Sequence, residues 1–278
     1  MILDLEQQLG TPLFFRERGA LRPTPAGEVY LQGCREVLAI DRSVKREISD
    51  LSGGLRGKIT LAVTSLTEEF LLPHILGAFD AAYPNVQLDL MEERMQNMSG
   101  LVRDGKADLA LVRTQGEPEL SYTLVMENPV YLQVPPAYAA AHPEFRPGIQ
   151  NPAIPPEVLH GQPVILLKKG RGLREGADRL FLQYSITPST VLETDNLHVA
   201  HGLTQLNKGF TFVPSFAVRD FFHDDASSFY CPLKGYSFVR PLYCCYARHR
   251  YLTKAEHFLI QLISDASAGE SRPSDTSG

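Results

Sequence analysis

The sequence predicts an α/β protein: a partial helical unit at the N-terminus, one long helix, then a larger α/β body. Three observations predict it. From Lys58 onward, strand-like and helix-like stretches alternate, as in parallel βαβ units with right-handed crossovers. Between Tyr30 and Leu51, the residues Tyr30, Cys34, Val37, Asp41, Val44, Ile48 and Leu51 recur at spacings of four and three, the period of a helix seam. Ahead of both lies a short apolar-periodic stretch followed by a turn rich in Arg and Pro. The chain has 278 residues, room for two or three compact domains, and 44% apolar content supports real cores.

In order, Ile2, Leu5 and Leu9 lie at helical spacing, with Gly10 at the C-cap position and Pro12 unable to continue the helix. Leu13, Phe14 and Phe15 form an apolar anchor. Arg16, Arg18 and Arg22 surround Gly19 in a small β-ribbon. Thr24 and Pro25 then open a long helix as N-cap and first helical residue, which Gly53-Gly54 ends, also as a hinge candidate. Its outer faces carry Arg35, Glu36, Arg42, Lys45, Arg46 and Glu47. A helix this long has no partner nearby in sequence, so Tyr30, Val37, Val44, Ile48 and Leu51 are expected to pack against a second copy. The alternative is packing within its own domain.

The body begins with a strand at 58–63, a helix at 71–83 with Pro73 in its first turns, a strand at 86–91, a short helix at 99–104 and a strand at 107–112. A second set follows: a strand at 127–134, then pieces at 163–167, 174–183, 196–207 and 210–213. The Pro-rich stretch 143–156 reads as a surface loop. A strand at 240–247 and a helix at 254–264 close the fold, and the Ser-, Gly- and Pro-containing end is expected to be disordered.

A net charge of −5 argues against a protein that mainly coats nucleic acid. No apolar run is long enough to span a bilayer, and the N-terminus carries acids where a signal peptide needs a basic start, so the expected location is the cytoplasm. Cys34, Cys231, Cys244 and Cys245 lack zinc or thioredoxin spacing and are expected to be free thiols. Cys244 and Cys245, neighbours in a strand, should point to opposite faces.

The pattern Leu5-Glu6-x-x-Leu9-Gly10-x-Pro12-Leu13-Phe14-x-Arg16, followed by Thr24-x-Ala26-Gly27, resembles the end of the winged helix-turn-helix domain of LysR-type transcriptional regulators. Gly57-x-Ile59-Thr60-Leu61-Ala62, Leu71-Leu72-Pro73 with Phe79, Tyr83-Pro84-x-Val86 and Gly105-x-x-Asp108-Leu109-Ala110 resemble the start of that family's effector domain. The resemblance covers about 1–266. It implies a partial winged helix (1–28), a linker and dimerisation helix (24–54) and a two-subdomain, periplasmic-binding-protein-like effector domain (57–266). Subdomain 1 would hold 57–125 and 236–266, subdomain 2 would hold 126–235, and 267–278 would be a tail. It also implies that Met1 lies inside the recognition helix, with the base-reading residues upstream. Arg16, Arg18 and Arg22 would then contact phosphates only, and DNA binding by the chain as it stands would be impaired.

In open α/β sheets, ligands bind at the C-terminal ends of the parallel strands. The first such end, Thr64-Ser65-Leu66-Thr67, gathers hydroxyls and helix N–H groups that suit a small carboxylate. Ser65-x-x-Glu68 also has the form of a capping box, which needs no ligand, and Glu68 and Glu69 would repel an anion they faced. In the resembled family this is an effector position. Thr194 would face it across the cleft, unless it or Asp195 caps the helix from Asn196. Arg113, after the third strand, is a candidate cleft cation or a surface ion-pair partner. The loop of Arg171 and Arg174 is a candidate for the cleft mouth and is no phosphate loop.

His198 and His201 share a helix face without a visible third ligand, so a rim or surface pair is expected rather than a metal site. No nucleophile elbow, zincin helix, carboxylate pair or dinucleotide fingerprint occurs, so neither an enzyme nor a cofactor is expected. The expectation is a regulator controlled by a small-molecule effector, acting on promoter DNA as a dimer or tetramer. The alternative is a stand-alone cytoplasmic small-molecule-binding protein; a bilobal enzyme comes third.

Overall fold

The computed structural model describes residues 2–17, 20–51, 56–170, 172–223, 227–248 and 250–268. Arg18, the side chain of Arg16, Gly53-Gly54, Arg171 and the tail beyond 268 lie outside this description. Helix α1 (Ile2–Leu9) is followed by an antiparallel ribbon, β1 (Phe14–Glu17) and β2 (Ala20–Pro23), with Phe15 opposite Arg22. Glu6 organises this end. Its Oε1 accepts the N–H of Leu13 at 2.7 Å and of Phe14 at 3.2 Å, satisfying donors that the turn leaves free. Of the three expected anchors only Leu13 is buried, while Phe15 is 47% exposed. A strand alternates its side chains, so neighbours cannot all face inward.

Thr24 caps α2 (Pro25–Leu51) as expected, its Oγ1 accepting the Gly27 N–H at 3.0 Å and donating to Pro12 O. Gly27 is required there, because a Cβ would collide with the carbonyl oxygen of Leu13. The seam residues Tyr30, Val37, Val44, Ile48 and Leu51 are exposed on α2. Arg46 is not on an outer face: with Ser43 and Asp50 it docks the helix on the body.

In the body come β3 (Gly57–Val63), α3 (Ser65–Ala82), β4 (Val86–Glu92), α4 (Met98–Arg103), β5 (Leu109–Val112), β6 (Leu120–Val134), α5 (Pro136–Ala140), β7 (Pro163–Leu167), α6 (Gly172–Gln183), β8 (Ser189–Thr194), α7 (Leu197–Gln205), β9 (Thr211–Pro214), α8 (Ser215–Asp220), β10 (Phe229–Cys231), β11 (Val239–Ala247) and α9 (Lys254–Ala268). A seven-stranded sheet runs β10-β6-β11-β5-β3-β4, with β9 also on β6, and β7 pairs β8 in a separate parallel pair. β3 is parallel to β4 and β5. The long β6 serves two groups: Leu120 to Pro129 pair with β11, and Val130 to Val134 pair with β9 and β10. Its first half was not legible because it shows no continuous apolar run; Ser121, Tyr122 and Thr123 are all half-exposed. The stretch 143–156 is no simple surface loop, since Phe145 and Ile154 are buried and Gly148 and Ile154 bridge to Phe229 and Leu233. Cys244 and Cys245 are both fully buried, in separate apolar clusters, as their alternation requires.

Helix α3 begins at Ser65, not Leu71, which leaves Pro73 inside it. Proline there removes the bond to the carbonyl of Glu69, an exposed residue that water can serve, while Phe70, Leu71, Ile75 and Phe79 hold the helix by burial. The capping box is one residue out of phase. Thr64 is the N-cap, taking the Thr67 N–H, and Ser65 Oγ donates instead to Glu92 Oε1. Thr64→Ala should therefore cost about 1 kcal/mol in urea denaturation, and Ser65→Ala less than about half of that. Equal losses would restore Ser65 as the cap.

The docking of α2 rests on a buried charge cluster. Arg46 reaches Asp108 at 2.6 Å and Glu256 at 3.2 Å, and Arg250 pairs with both acids. Glu256 Oε2 accepts from the Thr253 N–H at 2.8 Å and hydroxyl at 3.0 Å. Burial pushes the Glu256 carboxyl up, against the pull of Thr253 and Arg46. Tyr251 adds its N–H to Ser43 Oγ and its hydroxyl to Asp50. Removing one member leaves unpaired buried charge, so Glu256→Ala should cost about 3–5 kcal/mol. Lys45→Ala, which breaks an exposed pair with Asp41, should cost under about 1 kcal/mol by the same denaturation measurement.

Candidate functional site

Strand ends from both groups converge on one cavity of about 590 Å³. The turn from β3 to α3 supplies Thr64, Ser65 and Thr67. The end of β4 supplies Glu92 and Glu93, and the residue after β5 is Arg113. The step from β7 to α6 supplies Lys168 and Gly172, that from β8 to α7 supplies Asp195, and β11 supplies Arg240. Helices α3, α6 and α7 all begin at this wall, so their first N–H groups and positive dipole ends face it. Volume does not single the cavity out, for spaces of about 500 Å³ near Phe145 and about 460 Å³ under α2 exist too. Its charges do.

Arg113 Nη1 donates to the carbonyls of Arg240 and Pro241 at 3.2 and 3.3 Å, while its buried Nε has no acceptor. Burial brings this guanidinium down to about 10. Arg240 is 9% exposed, and among the described residues no carboxylate pairs with it. Burial, and then the charge of Arg113, hold it well below the ordinary arginine value; Glu175 opposes them, and Arg179 adds to them. Its guanidinium lies against Gly172, where a Cβ would collide with it, so glycine at the start of α6 makes room for this cation.

The acids on the wall are already engaged. Glu92 takes the Ser65 hydroxyl, Glu93 accepts from the Arg94 N–H and Asn97, which lower its carboxyl, and Asp195 pairs with Lys168 at 2.9 Å. Arg174 is engaged likewise. Burial pulls it down, but its bonds to Asp178 and Glu193 outweigh that and leave it above the ordinary value. It does not line the cavity, and Arg171 lies outside the described residues.

Of the residues singled out by sequence, Thr64, Ser65, Thr67 and Arg113 come together on the wall. Thr64 and Thr67 bond each other at 2.9 Å, so their hydroxyls chiefly build the turn. Thr194 stands off the wall. Its Oγ1 accepts the Asn196 N–H at 3.1 Å, and Asn196 caps α7 in place of Thr194 or Asp195. His201 is no rim residue. It is buried, bonds the Tyr230 hydroxyl at 2.7 Å and stacks on Phe222, while His198 is exposed near Glu69. Among the described residues, no His, Cys, Asp and Glu group could hold a metal. Arg240 was missed. Its signal was present, as a lone charge in the apolar strand Val239-Arg-Pro-Leu-Tyr-Cys-Cys-Tyr246.

Comparison with known proteins bears on this architecture. Residues 52–268 match the family described as LysR substrate binding domain. The uncharacterized HTH-type transcriptional regulator YcgK of Bacillus subtilis is 25% identical over 276 residues, 95% of this chain and 84% of that protein. A full-length OxyR variant from Pseudomonas aeruginosa shares the fold with a TM-score of 0.70 at 17% identity, covering 96% of this chain and 83% of that one. A regulatory domain of Synechocystis CcmR, solved in complex with 2-PG, does so with a TM-score of 0.62 at 18% identity, over 76% of this chain and 98% of that one. The family match spans well over half of the sequence and includes every strand end that forms the cavity: the chain belongs to the LysR family of transcriptional regulators.

Proposed function

We propose that the cavity is the effector site of this regulator and that a small anion bound there changes how the protein holds promoter DNA. One observation carries the reading: Arg113, whose enclosed Nε has no acceptor, and the buried Arg240 both line the cavity, and among the described residues neither is ion-paired, the acids of the wall, Glu92, Glu93 and Asp195, being engaged elsewhere. Isolated buried charge is costly, and a carboxylate would relieve it. The start of α3 adds the N–H groups of Ser65 and Leu66, which have no acceptor within the helix. The similar CcmR regulatory domain, solved in complex with 2-PG, supports a ligand-binding role for a domain of this fold.

In this reading 57–125 with 236–266 form one subdomain and 126–235 the other. β6 and β11 are the strands between them, and an effector held by both walls favours a closed arrangement. It acts only by the difference in its affinity for the two arrangements. Residues 1–28 belong to the winged helix, with Arg16, Arg18 and Arg22 on phosphates, and 24–54 is the linker by which two copies pair. No catalytic step is assigned, and the setting is the cytoplasm; no described helix is long and apolar enough to cross a membrane. A stand-alone solute binder would leave the exposed seam of α2 without a use.

Arg113→Met should weaken the anions that raise the melting temperature of the parent by about ten- to a hundredfold, the loss of a charged hydrogen bond. Isothermal titration of each hit checks this. Unchanged affinity would place the effector elsewhere.

The α2 seam gives a second test. Val44 is 48% exposed and Ile48 is 61% exposed in the single chain, at the spacing of a helix pair. Val44→Asp with Ile48→Asp should lower the mass measured by light scattering. An unchanged mass would assign the oligomer to other surfaces.

A further inference from the structure

Arg113 and Arg240 reach the cavity from the neighbouring strands β5 and β11. Arg113, tied by Nη1 to the backbone of Arg240 and Pro241, follows the end of β5, a strand that pairs in parallel with β3 and so ends beside the turn into α3. Arg240 starts from that same backbone, but its guanidinium lies against Gly172, the first residue of α6. Arg240 thus stands at the N-terminus of α6, and Arg113 at the strand end next to the start of α3. α6 has 12 residues and α3 has 18, and both open onto the cavity. A ligand with one negative charge would neutralise one cation and leave the other without a counter-charge. A site with two positive poles, one held against Gly172 and one held by the β11 backbone, is complementary to two anionic groups joined by a short spacer.

We infer that the effector is a small two-headed anion, such as a short dicarboxylate, with one head at Arg113 and the start of α3 and the other at Arg240 and the start of α6. This rests on the effector-site reading and specifies the ligand class. Arg240 is the residue that distinguishes such a ligand from a single-headed acid. Without ligand, Arg240 is a burden on the fold, because its charge is buried against a second cation; with ligand, it becomes half of the specificity.

The test is titration calorimetry of the full chain with malonate, succinate and glutarate, against acetate, propionate, butyrate and inorganic phosphate. At least one dicarboxylate should bind about tenfold or more tighter than every monocarboxylate and phosphate. Arg240→Met should remove that margin, leave monocarboxylate affinity within about twofold, and raise the melting temperature of the ligand-free protein. Arg240→Lys should retain part of the margin. Equal binding of mono- and dicarboxylates, or equal weakening of both by Arg240→Met, overturns the two-headed ligand and leaves the effector site standing. Phosphate binding as tightly as the best dicarboxylate also overturns it, in favour of one doubly charged head. If no anion binds, or binding ignores both Arg113→Met and Arg240→Met, the effector-site reading itself falls.

Discussion

The pairing of β11 with β6 is the constraint on which the rest of the molecule depends. It runs from Ala247 opposite Leu120 to Val239 opposite Pro129, with an irregularity between Leu242 and Tyr243. β11 belongs late in the chain, yet it lies between β5 and β6. That single insertion brings Arg240 beside Arg113 at one end of the sheet and Arg250 and Glu256 beside Arg46 and Asp108 at the other. Neither cluster is local in sequence: Arg113 and Arg240 are linked by a bond across 127 positions, and Arg46 and Glu256 by one across 210.

The two clusters obey the same electrostatics with opposite outcomes. At the anchor, two arginines meet two acids, and every member is hydrogen-bonded. At the cavity, Arg113 and Arg240 make no ion pair among the described residues, because the acids of the wall are bonded to other partners. β5 joins the clusters directly, with Asp108 just before its first residue and Arg113 just after its last. A packed strand with both ends fixed cannot absorb a displacement within itself. In the proposed reading, an anion that neutralises Arg113 and Arg240 acts on elements whose far ends grip α2, which supplies a physical connection between the cavity and the helix.

Much of this was legible in the sequence because it is periodic. The alternation of strand and helix from 57 to 112, the seam of α2 and the Thr24 cap all follow from local pattern. The β3–α3 turn was located correctly as a cavity wall, but its cap was placed at Ser65 rather than Thr64, because Thr64-x-x-Thr67 and Ser65-x-x-Glu68 fit the same local rule one residue apart. Thr194 was drawn in by its place at a strand end, and it is satisfied by Asn196 two residues on. Arg240 was passed over because its meaning depends on Arg113 and Gly172, both distant in sequence. Local pattern sets the elements. The site depends on which elements become neighbours.

Helix α2 then links that site to whatever its N-terminal end carries. One face, Ser43, Arg46 and Asp50, is committed to the body through charge-assisted bonds, and the other, Val37, Val44, Ile48 and Leu51, stays apolar and exposed. At 27 residues the helix is about 40 Å long, and a continuous helix transmits rotation along its axis with little loss. Among the described residues, its hydrogen bonds and ion pairs with the body lie in its second half, so a small change of tilt at Arg46 becomes a larger displacement at Pro25, where the ribbon of Arg22 is attached through Thr24 and Pro12. A surface ion pair at the docking point would slip under that load, because solvent competes for both partners. Glu256 is buried with both of its oxygens occupied, so solvent does not compete for its partners and the docking point keeps its geometry.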